Sequence, residues 1–544
     1  MILLRNFLKK GDELLNIQRV IIIVQVIFFL GILRQIDLPG LYFDEAGVDY
    51  LATRFLNPSI DNPLWIFPTN WLPFLGTLYG GVPGAYVDVP IFGFFGTNIF
   101  TVRMSHALTG GLILFAIQVL IFKVSKKKYL TLMFGLLLAT SPVYLTSFRS
   151  LAMACFFGLP FTILAFYLLY DINAKNSFFK RKLLLAGALT GFACYAYFVY
   201  FIFIPLIVFF LVLKTKEIKS IVIIFAGWVV GFLPYFLGIY LMFEKQGSLK
   251  SGLDWIRWAI SVNKPIAGDP NPLNRIKFGL DQLGNALFNI QPEVMVLGKS
   301  IFAPSVSNLL ILGLLIFTTL IPFLFLFISK ISKSKNQYEI APQDKVILLL
   351  PWIYLSLLSS IFGSRLAVWH ILPTLPLLYV SLALASYQIS RVLKSSKMMS
   401  AMIFGILLII MPLNFVHQNL YFKELSRSGG VGMNSSSLND LASEGLRNSN
   451  TSVYFFPDWG FWTSFATLTD NRVRYELNVT TEIIQARIAE DKNLSIVFWK
   501  STDSQRYMEL LQQAIPAGFN HQVKDYTDRN GNYVFREIIV SAKE

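Results

Sequence analysis

The chain alternates long apolar blocks with short basic connections, a pattern that predicts a bundle of membrane-crossing helices. A hydrocarbon layer of roughly 30 Å takes about 20 apolar residues in a helix. Blocks near that length occupy 18–36, 100–122, 130–147, 152–170, 220–242, 306–329, 345–362, 370–390 and 399–416. The block 183–213 is long for one crossing and short for two. Cations stand on both sides of it, Lys180-Arg181-Lys182 before and Lys214, Lys216 and Lys219 after. Flanks of one sign belong on one side of a membrane, so this block reads as two short spans turning near Tyr195 to Tyr200. About 11 transmembrane helices result.

The cations fix an orientation. They gather in alternate connections: Arg5, Lys9, Lys10 and Arg19; Lys123 with Lys126 to Lys128; the two flanks just named; Lys330, Lys333, Lys335 and Lys345; and Arg391, Lys394 and Lys397. The outer loop 37–99 holds one Arg, Arg54, and six acids. The positive-inside rule then puts the N-terminus in the cytoplasm, and an odd number of spans puts the tail outside. Loops 37–99 and 243–305 are long and aromatic, with Trp65 and Trp71 in the first and Trp255 and Trp258 in the second. Both read as segments lying at the membrane surface. Residues 1–417 are expected to form the transmembrane domain.

Beyond 418 the pattern changes. Strand-like runs cover Thr451–Phe456, Arg472–Leu477 and Leu494–Lys500, and helix-like runs cover Thr480–Asp491 and Asp503–Ile515. Thr502 and Gln505 have capping-box spacing, and Asn530-Gly531 between two β-rich runs signals a hairpin. A small extracytoplasmic α/β domain over 418–544 is expected. It carries neither a dinucleotide fingerprint nor a phosphate-binding loop.

Composition narrows the class further. Of 544 residues 54% are hydrophobic and 15% are charged, too few charges for a soluble protein of this length. The net charge of +15 does not point to nucleic acid. Lys and Arg outnumber Asp and Glu 34 to 17 before residue 418, and are outnumbered 13 to 15 after it. The excess therefore sits at membrane surfaces, against lipid headgroups. Cys155 and Cys194 fall in apolar blocks with no ligand spacing. The first block, Val20 to Leu33, lacks a small-residue cleavage site and reads as a retained anchor.

Chemistry concentrates in Leu41-Tyr-Phe-Asp44-Glu45-Ala-Gly-Val-Asp49-Tyr50, just outside the first span. Ionised groups beside a bilayer are costly. Asp44 and Glu45 are adjacent and point differently, so one can face a site while the other orients it. A carboxylate there can take a proton from an acceptor, or hold a divalent cation against a lipid phosphate. The plain alternative is that the pair caps an interfacial helix.

These motifs resemble the GT-C superfamily of polyprenyl-phosphate-sugar glycosyltransferases. They are most similar to its family 39 group, the protein O-mannosyltransferases and lipid A aminoarabinose transferases. Phe43-Asp44-Glu45 followed by Tyr50-Leu51-Ala52 looks like the acidic motif of the first external loop. Phe92-Gly-Phe-Phe-Gly96 and Val102-Arg103-Met-Ser105-His-Ala-Leu-Thr-Gly110 resemble the start of the second span. Ser141-Pro142 with Ser147-Phe148-Arg149, and Trp369-His370-Ile-Leu-Pro373-Thr-Leu-Pro376, resemble later motifs in the same order. The resemblance covers roughly residues 15–390. It departs in lacking a His-Pro-Pro-Leu run, any Lys in loop 37–99, and an acid at Ala152, Met153 or Ala154, and in placing His370 where Arg is usual.

The resemblance implies a GT-C fold and transfer of a sugar from a polyprenyl-phosphate-linked donor to a protein, lipid or glycan acceptor. It assigns the catalytic carboxylate to Asp44, with Glu45 as the second acid. Arg103, Arg149 and Arg365 fall at outer ends of spans, where Arg binds lipid phosphate or snorkels to headgroups. Asp88 reads as a second site acid or a loop acid, and His370 as a phosphate contact or a packing residue. His106 reads as an interior residue. Tyr195, Tyr197 and Tyr200 line a lipid groove or form an aromatic belt. Metal dependence is open. A lipid or sugar flippase and an inactive assembly subunit are the rival readings. Richness in Lys, Phe and Ile suggests a bacterial inner membrane.

Overall fold

A computed structural model describes residues 16–58, 72–150, 155–173, 177–215, 217–262, 269, 271–301, 313, 320, 324, 340–363, 366–392, 396–490, 492–515 and 519–541, with the side chains at 392, 396–404 and 406–408 excepted. Five of its helices are long and apolar enough to cross a membrane: Ile99–Ser125, Phe198–Thr215, Ile218–Lys245, Pro342–Phe362 and Val368–Arg391. Lys128–Ala139 and Pro142–Ser150 make a sixth crossing if the pair, bent by 54°, is one span. Ile17–Ile32 and Leu159–Tyr170 are shorter apolar helices. The chain is a multi-pass membrane protein. The expected span 306–329 lies outside the described residues except at three positions, as do Trp65, Trp71, Ala152 to Ala154 and Arg365.

Local chemistry sets the breaks. Ile99–Ser125 starts where the Asn98 side chain accepts the N–H groups of Phe100 and Thr101, while Thr101 Oγ1 accepts the Asn98 N–H, a reciprocal cap. The block 130–147, expected as one span, bends at Pro142. Proline brings no N–H and disfavours helix at the residue before it. The block 183–213 breaks at Tyr197, between Phe179–Ala196 and a 3₁₀ turn that leads into Phe203–Thr215. Amphipathic residues 253–262 fall in the helix Leu249–Val262.

Helices Phe179–Ala196 and Ile218–Lys245 pack backbone to backbone. Each carries a Gly-x-x-x-Gly pair, Gly187 with Gly191 and Gly227 with Gly231. A Cβ on any of them would lie 1.9–2.1 Å from a carbonyl oxygen of the facing helix. In lipid, where apolar burial drives little association between helices, such close approach supplies the packing.

The helix Ser396–Ser428 runs past residue 417 and hands the chain to a five-stranded sheet. Its strands are β3 (Ser452–Phe455), β4 (Tyr475–Glu476), β5 (Asn493–Phe498), β6 (Asn520–Thr527) and β7 (Tyr533–Ser541), in the order β4-β3-β5-β7-β6. The strands β1 (Leu75–Thr77) and β2 (Gly80–Gly81) form a separate hairpin in the outer loop. β3 is parallel to β4 and β5, and β7 is antiparallel to β5 and β6. Central strands are covered on both faces, which is why they read as unbroken apolar runs. Val453, Phe455 and Ile496 pack under helices Thr481–Ile488 and Ser504–Ala514. Tyr454, Phe456 and Val497 join the apolar core continuous with the membrane helices. The β6–β7 turn holds Asn530-Gly531, with Gly531 at φ +84° and Asp528 accepting the N–H groups of Asn530 and Asn532. The cap expected at Thr502 is absent. Thr502 lies in a 3₁₀ turn, the following helix is preceded by Asp503 without a side-chain cap, and Gln505 donates to Glu509 instead.

The tail is seated on the loop 37–99 by direct bonds. Thr463 Oγ1 donates to Phe43 O at 2.9 Å, Asn471 Nδ2 to Asn57 O at 2.7 Å, and the Tyr50 and Tyr475 hydroxyls are 3.0 Å apart. Gly40 N donates to Asn434 O at 2.8 Å. A Cβ at Gly40 would stand 1.9 Å from Ser435 O, so only glycine allows that approach.

Candidate active site

The outer loop begins where the helix Ile17–Ile32 ends, leaving carbonyl groups that need donors. Arg149 supplies them. Its Nη1 reaches Ile32 O at 3.3 Å and also Arg34 O, and its Nη2 reaches Leu38 O at 2.6 Å and also Gln35 O. Arg103 holds the next stretch, with Nη1 on Ile36 O at 2.8 Å, Nη2 on Gly40 O at 3.3 Å and Nε on Glu45 Oε1 at 3.2 Å. Both guanidinium groups are buried. The sequence reading set them against lipid phosphate or headgroups; the structure turns both inward onto backbone. Arg365 lies outside the described residues.

Glu45 is fully buried and part of a charged cluster. It accepts from Arg103 and from the Tyr42 N–H, and His106 Nδ1 is 3.6 Å away. Burial alone would raise its carboxyl, but Arg103 and His106 more than offset this and hold it below the usual range. The other ring nitrogen of His106 lies 3.0 Å from Asp49. Asp88 is buried beside Asp49, Ser105 and His106, and burial, reinforced by the Asp49 charge, pushes its carboxyl well above the usual range. Asp88 therefore belongs to this cluster and not to the cavity wall. The helix Asp49–Leu56 begins after Val48 with no side-chain cap, so neither Asp44 nor Glu45 caps it.

Asp44 points the other way, into a cavity of about 420 Å³. The lining comes from six parts of the chain: residues between Phe43 and Leu51 (Glu45, Ala46 and Asp49 excepted), the β1–β2 hairpin with Tyr79, Cys155, Tyr197, Trp369-His370, and Trp459, Trp462 and Thr463 of the tail. Tyr42 Oη donates to Asp44 Oδ2 at 3.0 Å. Burial raises the Asp44 carboxyl above its usual range, and the Tyr42 bond offsets this in part. A carboxylate with raised proton affinity suits proton abstraction.

His370 lines the cavity from the start of the apolar helix Val368–Arg391. Its Nδ1 accepts the Ala367 N–H at 3.1 Å, so in the neutral ring Nε2 carries the proton. That nitrogen lies 3.2 Å from Tyr197 Oη. On the tail side, Trp459 packs on Phe43 at 4.5 Å between ring centres, and Trp462 meets Phe43 at 5.3 Å and Tyr50 at 5.0 Å. Among the described residues no group of three or more His, Cys, Asp or Glu is placed to hold a metal ion. Asp44 is the single carboxylate in the described lining, and these residues do not form a cation site.

Trp459, Trp462, Tyr79 and Cys155 escaped the sequence reading. One signal existed: Pro457-Asp458-Trp459-Gly460 sets a large aromatic in a turn, where it has no strand or helix face to pack.

No protein-family model matches the sequence, and no curated protein matches it. Among solved structures, ArnT from Cupriavidus metallidurans bound to undecaprenyl phosphate has a TM-score of 0.51 and 13% identity, over 96% of this chain and 97% of that one. The Archaeoglobus fulgidus oligosaccharyltransferase AglB, in complex with an inhibitory peptide and a dolichol-phosphate, gives 0.46 and 12%, over 95% of this chain and 74% of that one. The S. cerevisiae Pmt1-Pmt2 complex bound to the sugar donor gives 0.32 and 15%, over 44% and 34%. The last two likenesses are too weak to carry weight, and at 13% identity the first speaks for fold. This chain is a multi-pass membrane protein whose fold is similar to that of ArnT.

Proposed function

We propose that the chain is an integral membrane glycosyltransferase that moves a sugar from a polyprenyl-phosphate donor to an acceptor at the outer face of a bacterial inner membrane. The N-terminus is cytoplasmic in this reading, and the tail is an extracytoplasmic domain. The observation that carries it is the division of labour between adjacent acids. Glu45 is neutralised inside the protein, and Asp44 is left on the wall of a cavity that opens between membrane helices and tail.

The acceptor oxygen attacks the anomeric carbon of the donor and a new C–O bond forms. The bond from that carbon to the phosphate oxygen breaks, and its electron pair leaves with the polyprenyl phosphate. The acceptor proton passes to Asp44. Inversion at the anomeric carbon follows the family resemblance. His370 and Tyr197 meet the donor on the membrane side, where the Nε2–H and the phenol offer hydrogen bonds to developing charge.

The test compares wild type with Asp44→Asn in detergent, using a panel of polyprenyl-phosphate-linked sugars. A loss of about 10²–10⁴-fold or more is expected, the usual contribution of a positioned base. Equal turnover by both proteins assigns Asp44 a structural role. No turnover with any donor, together with binding or flipping of labelled lipid, assigns the chain to an inactive subunit or a flippase.

A further inference from the structure

We propose that the acceptor is a saccharide, and that Trp459 forms the platform on which its ring lies; this rests on the transferase reading above. The cavity has two unlike ends. Tyr197, Trp369 and His370 lie on membrane elements, the side from which a lipid-borne donor arrives. Trp459, Trp462 and Thr463 come from the tail, and of these three Trp459 is the exposed one. An acceptor reaching Asp44 from the tail side passes the Trp459 indole.

The lining chemistry selects among acceptors. Among the described lining residues there is one carboxylate, Asp44, and no Lys or Arg. An acceptor held by its charges, such as a phosphorylated lipid or an acidic peptide, finds no ionic partner in that lining. The wall instead combines aromatic faces, the hydroxyls of Thr77, Tyr79 and Thr463, and the backbone of Gly76, Gly80 and Gly81. A pyranose matches that surface. It has an apolar C–H face for the negative face of an aromatic ring, and a rim of hydroxyls for hydrogen bonds. About 420 Å³ lies within the range of small-ligand sites, roughly 300–1,000 Å³.

Trp459 is also held in place. It is 52% exposed, a costly position for an indole, yet its turn is locked. Trp499 Nε1 donates to Trp459 O at 2.8 Å, and the Trp499 N–H donates to Asp458 Oδ2 at 2.9 Å. Gly460 takes φ +112°, and the Trp499 indole stands 3.2 Å from where a Cβ would be. Trp499 in turn stacks on Phe461 at 3.9 Å. This rigidity presents a flat ring at the cavity mouth at little further loss of entropy on binding.

The experiment uses the full chain in detergent and two readouts. The first needs no turnover: saturation-transfer NMR with maltotriose, cellotriose and chitotriose, and a Ser/Thr pentapeptide as comparison. Ring C–H protons of at least one trisaccharide should receive saturation from wild type and from Trp459→Phe, and lose it with Trp459→Ala. The second is kinetic. Trp459→Ala should raise the acceptor KM about tenfold, the size of one lost aromatic contact. Donor KM should rise less than acceptor KM does. A rise in donor KM instead assigns the platform to the donor sugar and overturns the proposal. So does pentapeptide binding that depends on Trp459 with no trisaccharide binding. Trisaccharide binding without transfer to any acceptor removes the transferase reading and keeps the site; transfer without trisaccharide binding does the reverse.

Discussion

Arg103 Nε donates to Glu45 Oε1 at 3.2 Å, and this pair decides which of two adjacent acids faces the cavity. Glu45 is drawn into the protein, so the next peptide turns Asp44 outward. Removing the cation strands a buried carboxylate, which costs roughly 3–5 kcal/mol. Arg103→Met should therefore lower the melting temperature sharply. Glu45→Gln combined with Arg103→Met should recover part of the loss, and thermal unfolding of the detergent-purified chain checks both.

Asp44 should give activity a pH dependence of definite sign. Its carboxyl titrates above the usual range, and a base works when ionised. Transfer, measured as kcat/KM, should rise with pH through a value above the ordinary aspartate value of about 3.9. A profile flat down to that value sinks the assignment.

The same shift works against stability. A carboxyl whose folded pKa is raised binds more protons folded than unfolded, so its contribution falls as pH rises from the unfolded value through the folded one. At neutral pH that penalty is fully present. Asp44→Asn should thus lower transfer by the factor given above while leaving the melting temperature unchanged or higher at pH 7, and the difference from wild type should shrink in acid.

Seating of the tail should matter to the site. Thr463→Val removes the bond to Phe43 O, next to Asp44. The expected loss is about 1 kcal/mol of stability, with kcat reduced more than donor KM. Unchanged kinetics would show that the loop keeps its shape without the tail.

Backbone contact between two membrane helices predicts intolerance at Gly231. Any side chain there meets Ala188 O at 1.9 Å. Gly231→Val should force the helices apart, with a cost of about 1–3 kcal/mol or more, seen as lower yield of folded protein and a lower melting temperature. Gly284, where a Cβ meets nothing within 4 Å, is the control.

Part of this protein was legible along the chain, because a bilayer demands runs of about 20 apolar residues. The break at Tyr197, the strands near 453, 475 and 496 and the Asn530-Gly531 hairpin follow from local pattern and turn chemistry. So does the concentration of acids at Asp44, Glu45 and Asp49. What only the tertiary structure decided is direction and partnership. Asp44 and Glu45 have equivalent sequence surroundings, and a long-range ion pair with Arg103 separates them. Arg149 at a span end looks like a phosphate contact until the carbonyls of residues 32–38 converge on it. Trp459 lies more than 400 residues from Phe43, and no periodicity links them. They meet because the tail packs against the loop that holds Phe43, and burial, charge pairing and close backbone approach across that distance are properties of the folded chain alone.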